Sequence, residues 1–440
     1  MSDQNQMIET SRNSERPESH FLKEFDLLVE NAAGGTAWIE HRHQAVKAFS
    51  SLGFPTKKTE SYKYTPITKR VKSTLSNAVE SEMRTSNRAF GDVSGIHLDT
   101  SNGVLSTGPL ATSLPKGLTI TTLQEEAKRE NGVLHEHLSG AIVLDRDPFS
   151  ALAAALTEDG ILIHVATGAH IEQPIVIHHD RIAAAGFVQS RFLIVADAGS
   201  TLRIIEHFGH LDAGSAFENR VTEIIVGEGA NLDHVLVYER SEEATFVNAL
   251  FVEQGEGSIF KTNNITIGGG VVRNNLNFLP NAENCETHLN GLYIARGASH
   301  VDNHTLVDHA KPNCYSNELF KGIVADTATG VFNGKVLVRQ DAQKTNAYQS
   351  SKSILLDRRA RIFVKPELVI YADDVKCSHG ATTGELDDEA LFYLRSRGLR
   401  PDAARLLLLE AFARDVIDLV EVEDMREYLY DRLHQLLTNE

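Results

Sequence analysis

Cysteine is scarce in this chain, with only Cys285, Cys314 and Cys377 in 440 residues. So few rule out a disulfide framework and suit a reducing compartment. Long apolar runs are missing too. No stretch approaches the roughly 20 apolar residues of a membrane span. The first 20 residues are polar and lack the apolar centre of a secretory signal. They read as a disordered tail, and the protein as cytoplasmic. Basic excess is absent: the net charge is −17, which argues against a nucleic-acid surface. A phosphate-binding loop is lacking as well. Gly330-Val-Phe-Asn-Gly-Lys335 comes near one, but it is a residue short and Val336 stands where Ser or Thr is needed. That stretch is expected to be a repeat turn, in a chain that does not itself hydrolyse ATP.

What is present fits an ordinary soluble protein of two or three domains, 42% hydrophobic and 23% charged. Phe21, Phe25 and Leu28 lie at helical spacing, as do Trp38, His41, Ala45 and Phe49, with Gly53 and Pro55 as a stop. Leu118 to Leu123 reads as a strand. Asp147-Pro148 opens a helix that runs to Leu156. Residues 21–159 are therefore a helical and mixed α/β region.

From Ile161 the texture changes to short strands between small turn residues. Taking Ala169, Ser200, Ala230, Ser258, Ala298, Thr329 and Ala360 as markers, the steps are 31, 30, 28, 40, 31 and 31 residues. A period near 30 with β-type content predicts a stacked parallel β-helix over 160–384, in which neighbouring repeats supply each other's core. The 40-residue step, which holds Cys285 and His288, reads as an insertion. After Gly384 three helices follow, in a domain spanning 385–440. Leu406 to Leu409 is apolar all round, which predicts burial on more than one side. This domain is expected to cap the open end of the stack or to present a groove to a partner.

Two groups of residues carry candidate chemistry. In Val375-Lys-Cys-Ser-His379, an extended backbone puts Cys377 and His379 on one face. A thiolate and an imidazole together can ligate metal or sulfur, although an arbitrary Cys-x-His is more often a buried cysteine beside a hydrogen-bonded histidine. The second group is His300, His304 and His309, with Asp302, Asp308 and Cys314 nearby. Positions 300, 302 and 304 share a strand face, so a mononuclear metal site there, in a metal-dependent β-helix enzyme, is the alternative function. A polar ladder on the outside of the stack explains the same residues more plainly. His164, His170, His178, His179, His207 and His210 read as surface or packed residues. Three cysteines cannot supply the four thiolates that an iron–sulfur cluster usually takes. Any such cluster would need histidine, carboxylate or a second subunit.

Residues 285–400 also carry a set of longer motifs. They include His304-Thr-Leu-Val-Asp-His309, Ser316-Asn-Glu-Leu-Phe-Lys-Gly322, Ala342-Gln-Lys-Thr-Asn-Ala347 and Lys365-Pro-Glu-Leu368. Tyr371-Ala-Asp-Asp-Val-Lys-Cys-Ser-His-Gly-Ala-Thr382 and Ala390-Leu-Phe-Tyr-Leu-Arg-Ser-Arg-Gly398 continue them. In these the chain resembles the SufB/SufD family, scaffold subunits of the SUF iron–sulfur cluster assembly machine. Its length and sparse cysteines lie nearer the SufD branch. Tyr62 departs from a frequent Trp, and Phe363-Val364 from a polar pair.

The resemblance implies a mainly β fold, with a right-handed parallel β-helix core flanked by N-terminal and C-terminal helical domains. It implies a non-catalytic scaffold that pairs with SufB through the β-helix and docks the ATPase SufC through the helices after Glu385. Leu386, Phe392, Leu394, Leu408 and Phe412 would carry that docking. His379, with Cys377 beside it, would serve a nascent cluster at the SufB interface. No cofactor would stay bound to the isolated chain, the cluster being transient in the complex, and the isolated chain could form a homodimer. Neither nucleic acid nor membrane is an expected partner.

Overall fold

Alternating apolar residues between small-residue turns can bury one face only if another sheet lies opposite. The chain does this repeatedly. A computed structural model describes residues 17–30, 36–77, 83–85, 93–106, 114–129, 132–137, 142, 144–183, 186–210 and 216–438. Among these, strands alternate between an eleven-stranded and a nine-stranded sheet. From Phe187 to Gly384 each turn of chain lays one strand on each sheet, giving a β-solenoid of about seven turns. Pairing is parallel and skips one strand. Thr245–Gln254, for example, lies between Phe217–Val226 and Val271–Pro280. Between the sheets, Leu232, Phe260 and Leu289 meet Ile224, Leu250 and Phe332 in one apolar core.

The corners explain both the period and its apparent break. Gly199, Gly229, Gly257, Asn284, Asn313 and Lys344 all have φ between +59° and +66°. Each immediately precedes a corner position, and the strand registers stack those positions as Ser200, Ala230, Ser258, Cys285, Cys314 and Thr345. A left-handed residue stands at each of these six corners. Glycine supplies it without strain, and asparagine tolerates it. After Gly257 the glycine gives way to asparagine and then lysine, so the visible pattern fades while the geometry persists. Ala298, Thr329 and Ala360 belong to the opposite corner. The expected insertion is therefore corrected: the 40-residue step crosses from one corner to the other. Gly330-Val-Phe-Asn-Gly-Lys335 is likewise not a turn but part of the strand Thr329–Val338.

The N-terminal region begins earlier than expected. The helix Pro17–Glu30 includes residues assigned to the tail, and the rest of that tail, residues 1–16, lies outside the described residues. Phe21, Phe49 and Phe149 pack against Phe217, Val247 and Val271 on the outer face of the nine-stranded sheet. Asp147 caps the helix Pro148–Leu156 by accepting from the Ser150 amide at 2.8 Å. Ile96–Ser101 and Leu118–Thr122 join the sheets themselves, so the solenoid draws strands from before residue 160.

The C-terminal helices Asp388–Ser396, Pro401–Ile417 and Glu423–Thr438 do not cap the stack. They lie along its flank. Leu409, Val416, Leu429 and Leu433 cover Val235, Val237, Leu292 and Ile323 on the outer face of the eleven-stranded sheet. Those strands are apolar on both faces and so need cover on both. Buried polar contacts fix the docking. Glu239 takes His207 Nε2 at 2.6 Å and Arg432 Nε at 2.8 Å, and also accepts from the Tyr428 hydroxyl. The Leu406–Leu409 run is buried on one side only. Leu409 is 1% exposed and Leu407 45%.

Replacing Leu409 with alanine should therefore cost about 2–5 kcal/mol. Leu407→Ala should stay within about 0.5 kcal/mol of the parent. Equilibrium denaturant unfolding of the two variants checks the helix orientation.

Candidate functional site at the open end of the solenoid

Stacking satisfies each strand from both sides until the stack stops. Here it stops at Arg361–Ile370 and Lys376–Gly384. Each of these pairs on one side only. Lys376–Gly384 is exposed along nearly its whole length. Ile370 and Tyr371, 39% and 66% exposed, stand beside it. A long bare strand edge is a template for pairing with another chain.

Cys377 and His379 lie on this last strand. Its register sets Cys377 beside Ala347 and His379 beside Gln349. Ala347 and Gln349 point between the sheets, as Ser316, Glu318 and Phe320 do one rung earlier. Cys377 and His379 thus share the inward face, as alternation predicts, and Lys376 and Ser378 take the other. Cys377 is half-buried against Val338, Ala347 and Ala372. Burial pushes its thiol pKa up, with the Ala347 backbone opposing. In the unpaired chain it is a thiol. The His379 side chain is exposed. The other two cysteines stack at the corner, buried. Both thiols donate to the Ala282 carbonyl, at 3.1 Å and 3.2 Å.

The histidines near residue 300 do not converge. His300, Asp302 and His304 share the outer face of the strand His300–His309, but His309 faces inward, where its Nε2 lies 2.9 Å from Ser316 Oγ. The outer group is locked by the N-terminal region. Thr65 Oγ1 lies 3.0 Å from His300 Nε2 and also donates to Asp302. Arg273 pairs with Asp302 and sits 4.4 Å from the Tyr62 ring centre. Burial alone would raise the Asp302 carboxyl, but Arg273 and His304 hold it well below the usual range. Burial lowers the pKa of all three histidines, that of His309 to about 4. Among the described residues, no three His, Cys, Asp or Glu side chains are arranged to hold a metal ion.

The five C-terminal candidates divide. Phe392 is 72% exposed. Leu394 and Leu408 are half-buried, and Leu386 packs on the flank cluster. Phe412 faces the solenoid, its ring 4.3 Å from Lys321 Nζ. Leu386, Leu391, Phe392, Pro401 and Arg405 line a groove of about 780 Å³ between the first two C-terminal helices and Leu355–Arg358. Tyr393, 55% exposed beside Phe392, was not among the candidates. Its exposure follows from how the helix docks, and no local pattern signals it.

A family model for the SufBD core domain of the SUF iron–sulfur cluster assembly system matches residues 179–412, and one for the SufBD N-terminal region matches 20–177. The chain belongs to the SufBD family. The iron–sulfur cluster assembly protein SufD of Escherichia coli is 29% identical over 95% of this chain and 97% of its own length. A SufBD family protein of Synechocystis is also 29% identical, over 92% and 93%. SufD of Bacillus subtilis is 26% identical over 71% and 72%. The chain is thus a SufD-like iron–sulfur cluster assembly protein.

Sequence reasoning missed Glu318, two rungs below His379 in the same inward column. It is 1% exposed, and burial pushes its carboxyl up to about 7, with Thr305 and Gln349 opposing. The folded chain therefore holds this proton more tightly than the unfolded chain does. The site costs nothing below the ordinary carboxylate range of about 4.5 and becomes destabilising as pH rises through about 7. Glu318→Gln removes that slope. Between pH 4 and pH 8 its stability should gain about 3 kcal/mol on the parent, as read from paired denaturant titrations.

Proposed function

We propose that this chain is a non-catalytic scaffold that pairs with SufB through the open end of its solenoid and docks the ATPase SufC through its C-terminal helices. A nascent iron–sulfur cluster, as cargo, forms where the two solenoid ends meet. His379, with Cys377 beside it, contributes to that site from this chain. The observation that carries the proposal is the position of the Cys-x-His pair on the inward face of the last rung, whose edge is bare. An imidazole and a thiol there form an incomplete ligand set, and a second solenoid end can finish it. Iron takes both donor types. The Cys377 thiol, raised by burial, loses its proton more readily once a metal is at hand.

The SufC-docking role is supported by exposed Phe392 and the groove beside it. Phe412 is set aside, because its contact is with Lys321 on the solenoid. Anchoring the helices to the flank lets movement of a bound ATPase reach the stack through Glu239 and Lys321. The unpaired end also suits a homodimer when SufB is absent. A cytoplasmic location accords with the three unpaired thiols, and no described helix is long and apolar enough to cross a membrane.

Reconstitution with SufB and SufC tests the reading. His379→Ala should leave all three subunits co-purifying and reduce cluster formation by tenfold or more. Phe392→Asp should weaken SufC capture and leave SufB pairing intact. Normal cluster yield from His379→Ala would refute the cluster role.

A further inference from the structure

The column that ends at His379 continues inward through Gln349 on the strand Asn346–Leu355 to Glu318 on Tyr315–Val324. Gln349 and Glu318 are 3% and 1% exposed. Gln349 Nε2 donates to Glu318 Oε2 at 2.7 Å. The amide oxygen of Gln349 is buried and has no hydrogen-bond partner among the described residues. A buried carbonyl oxygen left in that state is costly and calls for a donor. The next side chain along the column is His379, one strand spacing of about 4.8 Å further on.

We propose that Gln349, oriented by Glu318, is a positioning residue. A turn of the exposed His379 ring toward the column lets the Gln349 amide oxygen accept one ring N–H, which holds the imidazole in a single tautomer with its other nitrogen bare toward the open end. The proposal rests on the cluster-site reading for its purpose, though not for its geometry. The two ring nitrogens of a histidine are distinguished by the hydrogen bond that one of them makes, and this sets which is free to ligate. An amide can donate on one side and accept on the other, so its orientation must itself be fixed. Glu318 fixes it. Above pH 7 its carboxylate accepts only, and the amide must then turn its NH2 toward Glu318 and its oxygen toward His379. Leu289, Thr305 and Gln349 face Glu318, and none of them carries a charge. Among the described residues, no charged side chain acts on Glu318.

Nitrogen-15 NMR of the full chain with labelled histidine tests this at pH 8, the His379 signals being assigned by their loss in His379→Ala. In the parent, one ring nitrogen should show the shift of a protonated site and the other that of a bare one. Gln349→Leu should shift both toward the averaged positions of a ring exchanging between tautomers. Glu318→Gln should do the same while keeping the packing, because an added amide lets Gln349 turn over. Identical His379 shifts in the parent and both variants, or averaged shifts in the parent, would overturn the proposal. The outcome is separable from the cluster role. A single tautomer that depends on Gln349, together with normal cluster formation by His379→Ala, sinks the functional reading and leaves the positioning intact.

Discussion

Each interior strand of this solenoid completes its backbone hydrogen bonds with the strands one turn before and one turn after it. That parallel ladder is the constraint from which the rest follows. A buried N–H or C=O left unpaired is costly, so the stack must continue, be covered, or meet another chain. At the start, strands of the N-terminal region extend it, Ile96–Ser101 in the longer sheet and Leu118–Thr122 in the shorter. At the other end it is not finished. Lys376–Gly384 carries Cys377 and His379 where the ladder stops, so the bare edge and the candidate chemistry occupy one place.

The flanking domains obey a second demand. Strands such as Asn231–Tyr238 are buried on both faces, and a solenoid supplies an interior for only one of them. The C-terminal helices cover the outer face of the longer sheet, and the N-terminal helices cover part of the other. Buried ion pairs register these layers. Arg273 and Asp302 answer to Thr65 and Tyr62 on one side, and Glu239 answers to Tyr428 and Arg432 on the other. The histidines at 300 and 304 belong to this joint. Their clustering in sequence reflects a polar seam beneath a docked domain.

Inside the stack the side chains are not uniformly apolar. Glu206 receives Arg220, His179 and His234, and stays ionised because these partners outweigh the burial that would raise it. Glu318 has no such partner among the described residues, and burial pushes its carboxyl up to about 7. The two carboxyls show how one fold holds opposite protonation behaviour a few rungs apart. The difference lies in whether a guanidinium shares the cavity.

Much of the fold was legible in the chain. The period near 30, the helix caps at Asp147 and Gly53, and the shared face of Cys377 and His379 are local properties, fixed by backbone geometry over a few residues. The corner glycines were legible until Asn284 and Lys344 replaced them, because the left-handed turn constrains φ and not residue identity. The inward turn of His309 away from His300 was legible in principle, since an odd separation along a strand reverses the face. What no local pattern carries is which outer faces the helices cover, that they lie beside the stack and leave its end open, and that Glu318 and Gln349 share a column with His379. Those depend on pairing between strands some 30 residues apart in sequence, which only the tertiary register decides.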